Sequence, residues 1–127
     1  MDSKKKTVLL VDDDEDLVAQ MKLAIEKEFN VIVAHSGEEA LERLKQTKPD
    51  CIVLDVMMNN LSDGLEATKQ IKGNDATKNI PVIMLTSVTQ HYDYRTQVGE
   101  DYFPYDKWLD KPVQPQKLLS EIRALLK

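Results

Sequence analysis

Short apolar runs alternate with longer amphipathic stretches along the whole chain of 127 residues. The runs have almost no polar position inside them, which is typical of parallel strands covered by helices on both faces. The predicted strands are Val8–Val11, Val31–Ala34, Cys51–Leu54, Val82–Leu85 and a very short Trp108–Leu109. The pattern therefore predicts a doubly wound α/β fold with a five-stranded parallel sheet and right-handed crossovers.

The stretches that follow these runs place apolar residues at helical spacing. The first has acidic residues in its opening turn, where the helix dipole favours them, and Asp14 or Asp16 is expected to cap it. The first predicted helix follows these acids and keeps helical spacing to Glu28, and the second begins at the capping box Ser36–Glu39. The third follows a loop from Asn59 to Gly64, carries Leu65 and Ile71, and ends near Gly73. The fourth covers Gln90–Val98, and the fifth has Pro115 in its first turn.

The composition predicts one soluble domain spanning residues 1–127. Apolar residues make up 42% and charged residues 31%, and the net charge of −5 does not favour direct nucleic-acid binding. Cys51 lies inside an apolar run and is expected to be an inert core thiol, which agrees with a reducing cytoplasm. No apolar run is long enough to span a membrane, and no signal peptide is evident, so a cytoplasmic location is predicted.

Polar residues follow the apolar runs of four predicted strands. Asp12 and Asp13 follow the first, Asp55 the third, Thr86 the fourth and Lys111 the fifth. The carboxyl ends of parallel strands meet at one edge of the sheet, where ligands bind. Three carboxylates there repel one another unless a divalent cation neutralises them, and an all-oxygen set suits Mg²⁺. Together with a hydroxyl and an ammonium, they predict a metal and phosphoryl site in which one carboxylate accepts the phosphoryl group.

Four short motifs at these positions resemble the receiver domain of two-component response regulators. Val11-Asp12-Asp13 is similar to the family's acidic pair, and Leu54–Met58 is similar to its phosphoacceptor strand. Leu85-Thr86-Ser87 and Leu109–Pro112 resemble the switch hydroxyl and the Lys-Pro signature. Each motif is weak evidence alone, but all four occur in order at the strand ends. The resemblance covers essentially the whole chain and implies a flavodoxin-like (βα)5 sheet with strand order 2-1-3-4-5.

The resemblance implies that Asp55 is the phosphoacceptor and acts as a carboxylate nucleophile. Asp12, Asp13 and Asp55, with the backbone carbonyl of Met57, would hold Mg²⁺, with Mn²⁺ as an alternative. The family also implies a sensor histidine kinase or a phosphotransfer protein as the phosphodonor partner. The protein would assist its own phosphorylation and dephosphorylation without turnover of a separate substrate, so it is not expected to be an enzyme in the usual sense.

Lys111 would neutralise charge on the transferring phosphoryl group, and the Thr86 hydroxyl would contact the phosphate once it is present. Trp108 stands where the family places its switch aromatic. The expected output surface runs from the helix after Val88 through Trp108 to the last helix, and would contact a downstream protein or a second copy. No effector domain follows Lys127, so the chain is expected to be a stand-alone receiver or a fragment of a longer regulator.

Two segments differ from the common receiver pattern. Asn59 replaces a proline four residues after the acceptor, and the stretch from Asp55 to Gly64 is about one residue longer. The segment between Thr86 and Lys111 is about three residues longer. It holds six of the seven aromatic residues, namely Tyr92, Tyr94, Tyr102, Phe103, Tyr105 and Trp108. These aromatic residues either pack a long loop or form part of an interaction surface.

Three functions other than that of a working receiver fit the sequence less well. A flavodoxin-type cofactor binder would not place Asp12, Asp13 and Asp14 where the flavin phosphate has to bind. A small Asp-dependent phosphatase would have a second acid close behind its nucleophile and a cap over its substrate, and neither is evident. A phosphorylation-independent pseudo-receiver, acting as a docking module, is the alternative that the intact set of site residues argues against.

Overall fold

The computed structural model describes residues 5–55, 61–87, 107–111 and 113–126, with the backbone alone for residues 61–65, 86, 87, 108, 110 and 111. The elements in order are β1 (Thr7–Val11), α1 (Glu15–Ile25), β2 (Asn30–Ala34), α2 (Gly37–Gln46), β3 (Cys51–Asp55), α3 (Leu61–Gly73), β4 (Val82–Ser87), β5 (Lys107–Lys111) and α4 (Pro115–Leu125). The predicted helix at Gln90–Val98 and the site residue Met57 lie outside the described residues.

The five strands form one sheet in the order β2-β1-β3-β4-β5, and every neighbouring pair is parallel. This confirms the predicted fold. β1 and β3 are aligned so that Val11 lies opposite Leu54. One residue further along β3, Asp55 lies opposite Leu85 of β4, and Leu85 lies opposite Leu109 of β5. The carboxyl ends of the central strands are therefore level with one another.

Apolar side chains on the two faces of the sheet form two separate cores. Strand residues alternate between the faces, so Leu9 and Leu54 pack on one side while Leu10 and Val53 pack on the other. The first core includes the inner residues of α2 and α3, and the second those of α1 and α4. β1 from Val8 onward and β3 are buried along their length because helices cover both faces. Cys51 is a buried free thiol, as predicted.

The predicted helix caps are correct at α1 and α2. The Asp14 carboxylate caps α1 by accepting hydrogen bonds from the backbone N–H groups of Asp16 and Leu17. Ser36 caps α2, with its Oγ accepting from the N–H of Glu39 at 3.0 Å. Each cap satisfies N–H groups that have no partner within the helix, which fixes where the helix begins.

Two predicted helix boundaries are wrong. The first helix ends at Ile25 rather than continuing to Glu28, because Asn30 has to enter β2, where its N–H bonds to the carbonyl of Lys6 at 2.8 Å. The third helix begins at Leu61, inside the segment predicted to be a loop up to Gly64. Ser and Asp are favoured in turns and also in the first turn of a helix, so the composition of this segment does not distinguish a loop from the start of a helix.

Three strands extend into the predicted site. β3 includes Asp55, β4 continues through Thr86 to Ser87, and β5 runs to Lys111 instead of ending at Leu109. Backbone pairing between β4 and β5 continues through these polar positions, and such pairing across the sheet is not visible in local hydropathy. None of the helices in the described part of the chain is long and apolar enough to cross a membrane.

Candidate functional site

Three carboxylates meet at the carboxyl edge of the sheet. Asp12 follows the last residue of β1, and Asp55 is the last residue of the neighbouring strand β3. One carboxylate oxygen from each of Asp12, Asp13 and Asp55 can be chosen so that the three atoms lie within 4.8 Å of one another. Asp12 is 1% exposed and Asp55 is 3% exposed, whereas Asp13 is open to solvent. The structure therefore brings together the three acids that the sequence predicted to act together.

Asp12 is held by its backbone and by its side chain. Its N–H donates to the carbonyl of Ala34, at the end of β2, over 3.1 Å. Its carboxylate Oδ1 accepts from the N–H of Asp14 over 2.9 Å. Asp14 is in turn fixed as the N-cap of α1. Asp12 thus has its main chain anchored to one neighbouring strand and one carboxylate oxygen anchored to the start of a helix.

The donor set fits a hard divalent cation. All three side chains offer carboxylate oxygens, which Mg²⁺ prefers, and they lie close enough together to bind one ion. Three like charges at this spacing repel, and burial of two of them raises the cost because the surrounding dielectric constant is lower than that of water. A cation would remove that repulsion, and the solvent exposure of Asp13 leaves part of the cluster open to water.

The backbone also places the other predicted site residues at this edge of the sheet. Leu85 pairs with Asp55, and Thr86 is the next residue of the same strand. Lys111 is the last residue of β5 and pairs with Ser87. β5 lies two strands from β3, which corresponds to about 10 Å across the sheet. Trp108 pairs with Met84, three residues before Lys111. These positions agree with one site, although the roles of the side chains stay predictions.

The start of α2 forms a second hydrogen-bonded junction at the same edge. The backbone N–H of His35, which follows β2, donates to the carboxylate of Glu39, and this bond is the main reason that the pKa of Glu39 is lowered. Arg43 lies 3.8 Å from the same carboxylate. The sequence showed the capping box, but the link to His35 was missed because it depends on the path of the chain out of β2.

The link between Asp14 and Asp12 was also missed. The sequence predicted that Asp14 or Asp16 caps α1, without a connection to the site. An Asp side chain that accepts from the N–H two residues later is a common local motif, so the spacing of these two residues was the available signal.

A family comparison identifies the class of protein to which this fold and acid cluster belong. The family model for the response regulator receiver domain matches residues 8–123. The chain therefore belongs to the receiver-domain family of two-component response regulators.

Individual relatives agree with this assignment. The chain is 34% identical over 125 residues to the alkaline phosphatase synthesis transcriptional regulatory protein PhoP of Bacillus subtilis (strain 168), a match that covers 96% of this chain and 49% of PhoP. It is 41% identical over 124 residues to the transcriptional regulatory protein CpxR of Escherichia coli (strain K12), covering 94% of this chain and 49% of CpxR. The chemotaxis response regulator CheY4 of Vibrio cholerae has a similar structure, with a TM-score of 0.84 at 27% identity, covering 97% of this chain and all of that one.

The chain spans about half the length of the curated relatives that it matches. Those relatives are named as transcriptional regulators, so the expectation of no direct nucleic-acid contact stays a prediction that concerns these 127 residues only.

Proposed function

We propose that this receiver accepts a phosphoryl group on Asp55 in a Mg²⁺-dependent reaction, with a sensor histidine kinase or a phosphotransfer protein as the donor. The observation that carries the proposal is the cluster of Asp12, Asp13 and Asp55, in which two carboxylates are buried and one oxygen of each residue lies within 4.8 Å of one oxygen of each of the others. A cluster of this kind is costly without a cation, and an oxygen site for Mg²⁺ is also a site for phosphate.

Asp55 is proposed as the nucleophile. One of its carboxylate oxygens forms a bond to phosphorus while the bond from phosphorus to the donor breaks, and the product is an acyl phosphate. Asp12 and Asp13 are proposed to hold the metal together with Asp55. Bound Mg²⁺ supplies positive charge that offsets the carboxylates and the phosphoryl oxygens. Asp55 is buried at the end of the central strand β3, and this placement would limit the directions from which phosphorus can approach.

Lys111 and Thr86 are proposed to act on the phosphoryl oxygens. The Lys111 ammonium supplies a second positive charge, and the Thr86 hydroxyl donates a hydrogen bond that forms only in the phosphorylated state. A contact made in one state alone shifts a two-state equilibrium toward that state. The proposed readout is a change at Thr86 and Trp108 that alters binding of a downstream protein. The chain is not proposed to turn over a separate substrate.

The test is phosphorylation by a small phosphodonor. The wild-type protein is mixed with acetyl phosphate and Mg²⁺, and its intact mass is measured, with a chelator in a parallel sample. We expect one added phosphoryl group that depends on the metal, and none on Asp55→Asn, because an amide is a poor nucleophile. The matched control is Asp50→Asn, which removes an exposed carboxylate just before the same strand.

A pseudo-receiver that serves only as a docking module would give no added mass in any of these samples. Equal phosphorylation of wild type and Asp55→Asn would instead show that another residue is the acceptor.

A further inference from the structure

We propose that Asp14 is a positioning residue for the metal site, acting through Asp12. Its backbone N–H orients the Asp12 carboxylate, and its own carboxylate holds that N–H in place by capping α1. The proposal rests on the proposed function, since it concerns the cation that Asp12, Asp13 and Asp55 are proposed to bind.

The structural basis is a continuous chain of hydrogen bonds. The N–H groups of Asp16 and Leu17, in the first turn of α1, donate to Asp14 Oδ1 over 3.0 and 3.1 Å. The N–H of Asp14 then donates to Asp12 Oδ1 over 2.9 Å. The carbonyl of Asp14 accepts from the N–H of Val18 over 3.0 Å, so the whole residue is tied to the helix. The position of Asp14 is therefore set by α1, and the orientation of Asp12 depends on Asp14.

The orientation of Asp12 matters because its carboxylate is proposed to bind the metal and one of its oxygens is already engaged by a backbone N–H. Asp12 is 1% exposed, so its side chain is not free to rotate as a solvated carboxylate would be. The N–H of Asp14 engages Oδ1, and this bond restricts rotation of the carboxylate plane. A ligand that is held in position before the metal arrives loses less freedom on binding, which raises affinity.

The N-cap also gives Asp14 a role that a general surface acid would not have. An Asp, Asn or Ser at an N-cap accepts from the free N–H groups of the first turn, whereas Ala cannot. Loss of the cap frees the first turn of α1 and with it the N–H that holds Asp12. Asp14 also carries a negative charge near the cluster, so its effect through charge has to be separated from its effect through the cap.

The experiment measures Mn²⁺ affinity by electron paramagnetic resonance of free Mn²⁺, without any phosphodonor, for wild type, Asp14→Ser and Asp14→Ala. Both variants lose the same charge, but Ser keeps the cap. We expect Asp14→Ala to bind Mn²⁺ about threefold to fivefold more weakly than Asp14→Ser, since a fivefold loss corresponds to the ~1 kcal/mol that separates Ala from Ser at an N-cap.

A matched control tests whether lost stability alone explains the result. Thr77→Val removes a buried hydrogen bond of 2.6 Å, from Thr77 Oγ1 to the carbonyl of Ile71, beyond the end of α3 and before the start of β4. We expect it to lower the midpoint of thermal unfolding by an amount comparable with Asp14→Ala, and to leave Mn²⁺ affinity at the wild-type value.

The outcomes separate this inference from the proposed function. Equal Mn²⁺ affinity of Asp14→Ala and Asp14→Ser, with binding by wild type intact, overturns the positioning role alone. Weakening of Mn²⁺ binding by Thr77→Val to the same degree also overturns it, because general destabilisation would then account for the loss. Absence of Mn²⁺ binding by wild type overturns both the positioning role and the proposed metal site.

Discussion

Replacing Asp12 by Asn should stabilise the metal-free protein and weaken its response to Mg²⁺. Asn has nearly the same shape as Asp, and its Oδ1 can still accept the 2.9 Å hydrogen bond from the N–H of Asp14. The substitution therefore removes a charge while keeping the local geometry. The charge is removed from a buried position, where repulsion by Asp13 and Asp55 is screened less than at the surface.

The size of the effect follows from the spacing of the carboxylates. Two unit charges 4.8 Å apart repel by about 0.9 kcal/mol in water and by about 3.5 kcal/mol at an effective dielectric constant near 20. Asp13 is exposed, so its repulsion of Asp12 lies toward the lower value, and that of the buried Asp55 toward the higher one. Part of this gain is offset because the NH2 group of Asn has to find hydrogen-bond acceptors at a buried position where a carboxylate oxygen stood. We expect a net stabilisation of about 1–3 kcal/mol, which is roughly 3–12 °C in Tm for a chain of this length.

The assay is thermal unfolding followed by circular dichroism, with and without saturating Mg²⁺. For wild type, we expect Mg²⁺ to raise Tm, because an ion that binds the folded state alone stabilises it. For Asp12→Asn, each tenfold loss of Mg²⁺ affinity lowers the unfolding free energy gained from Mg²⁺ by about 1.4 kcal/mol, and the rise in Tm shrinks accordingly. The control is Asp75→Asn, which removes an exposed acid paired with Lys78 and should leave the stability gained from Mg²⁺ unchanged. The reasoning would be refuted if metal-free Asp12→Asn were less stable than wild type and gained as much stability from Mg²⁺ as wild type does.

Three further predictions concern pH, lifetime and output. Hydrogen bonding to Lys117 is the main cause of the lowered pKa of Glu121. The ionised Glu121 carboxylate therefore stabilises the fold above pH 4.5, the ordinary pKa of Glu, and this stabilisation is lost as the pH falls through the lowered pKa. Glu121→Gln should therefore lower the free energy of unfolding near pH 7 and have little effect near pH 3, and equal effects at both pH values would contradict this. Met57 and Val88 stand two residues after Asp55 and Thr86 in the sequence and are therefore expected to flank the path of the water that hydrolyses the acyl phosphate. Neither side chain orients water well, so the Met57→Asn/Val88→Glu double variant should lose its phosphoryl group faster than wild type. A decay rate no faster than that of wild type counts against the argument. Beryllofluoride with Mg²⁺ should change the fluorescence of Trp108, the only tryptophan, and flat emission with binding confirmed separately would show that Trp108 is not the moving part.

The parts of the fold that follow from local pattern were predictable. β1 and β3 are buried on both faces, so their sequences are apolar at nearly every position, and this pattern indicated a doubly wound sheet. Asp14 and Ser36 were identifiable as helix caps because a cap bonds to residues two or three positions away. The acid cluster was predictable because the strand ends of a parallel sheet meet at one edge, whatever the details of packing.

The parts that depend on distant pairing were not predictable. β5 extends from Lys107 to Lys111 because β4 offers backbone groups to pair with, although its sequence has only a two-residue apolar run. The early start of α3 at Leu61 was missed because Ser and Asp suit a loop and a first helical turn equally well. The bond from Asp14 to Asp12 was missed because the cap was interpreted only in terms of the helix that it begins.

The central claim is that Asp55 carries the phosphoryl group, and chemical trapping tests it most directly. The protein is incubated with acetyl phosphate and Mg²⁺, then treated with borohydride, which reduces an acyl phosphate to an alcohol and so converts a phosphorylated Asp to homoserine. Peptide mass spectrometry then locates the modified residue. The account predicts homoserine at position 55, present only when Mg²⁺ was included, and unmodified Asp12 and Asp13. Homoserine at position 12 or 13, or none at any position, would contradict it.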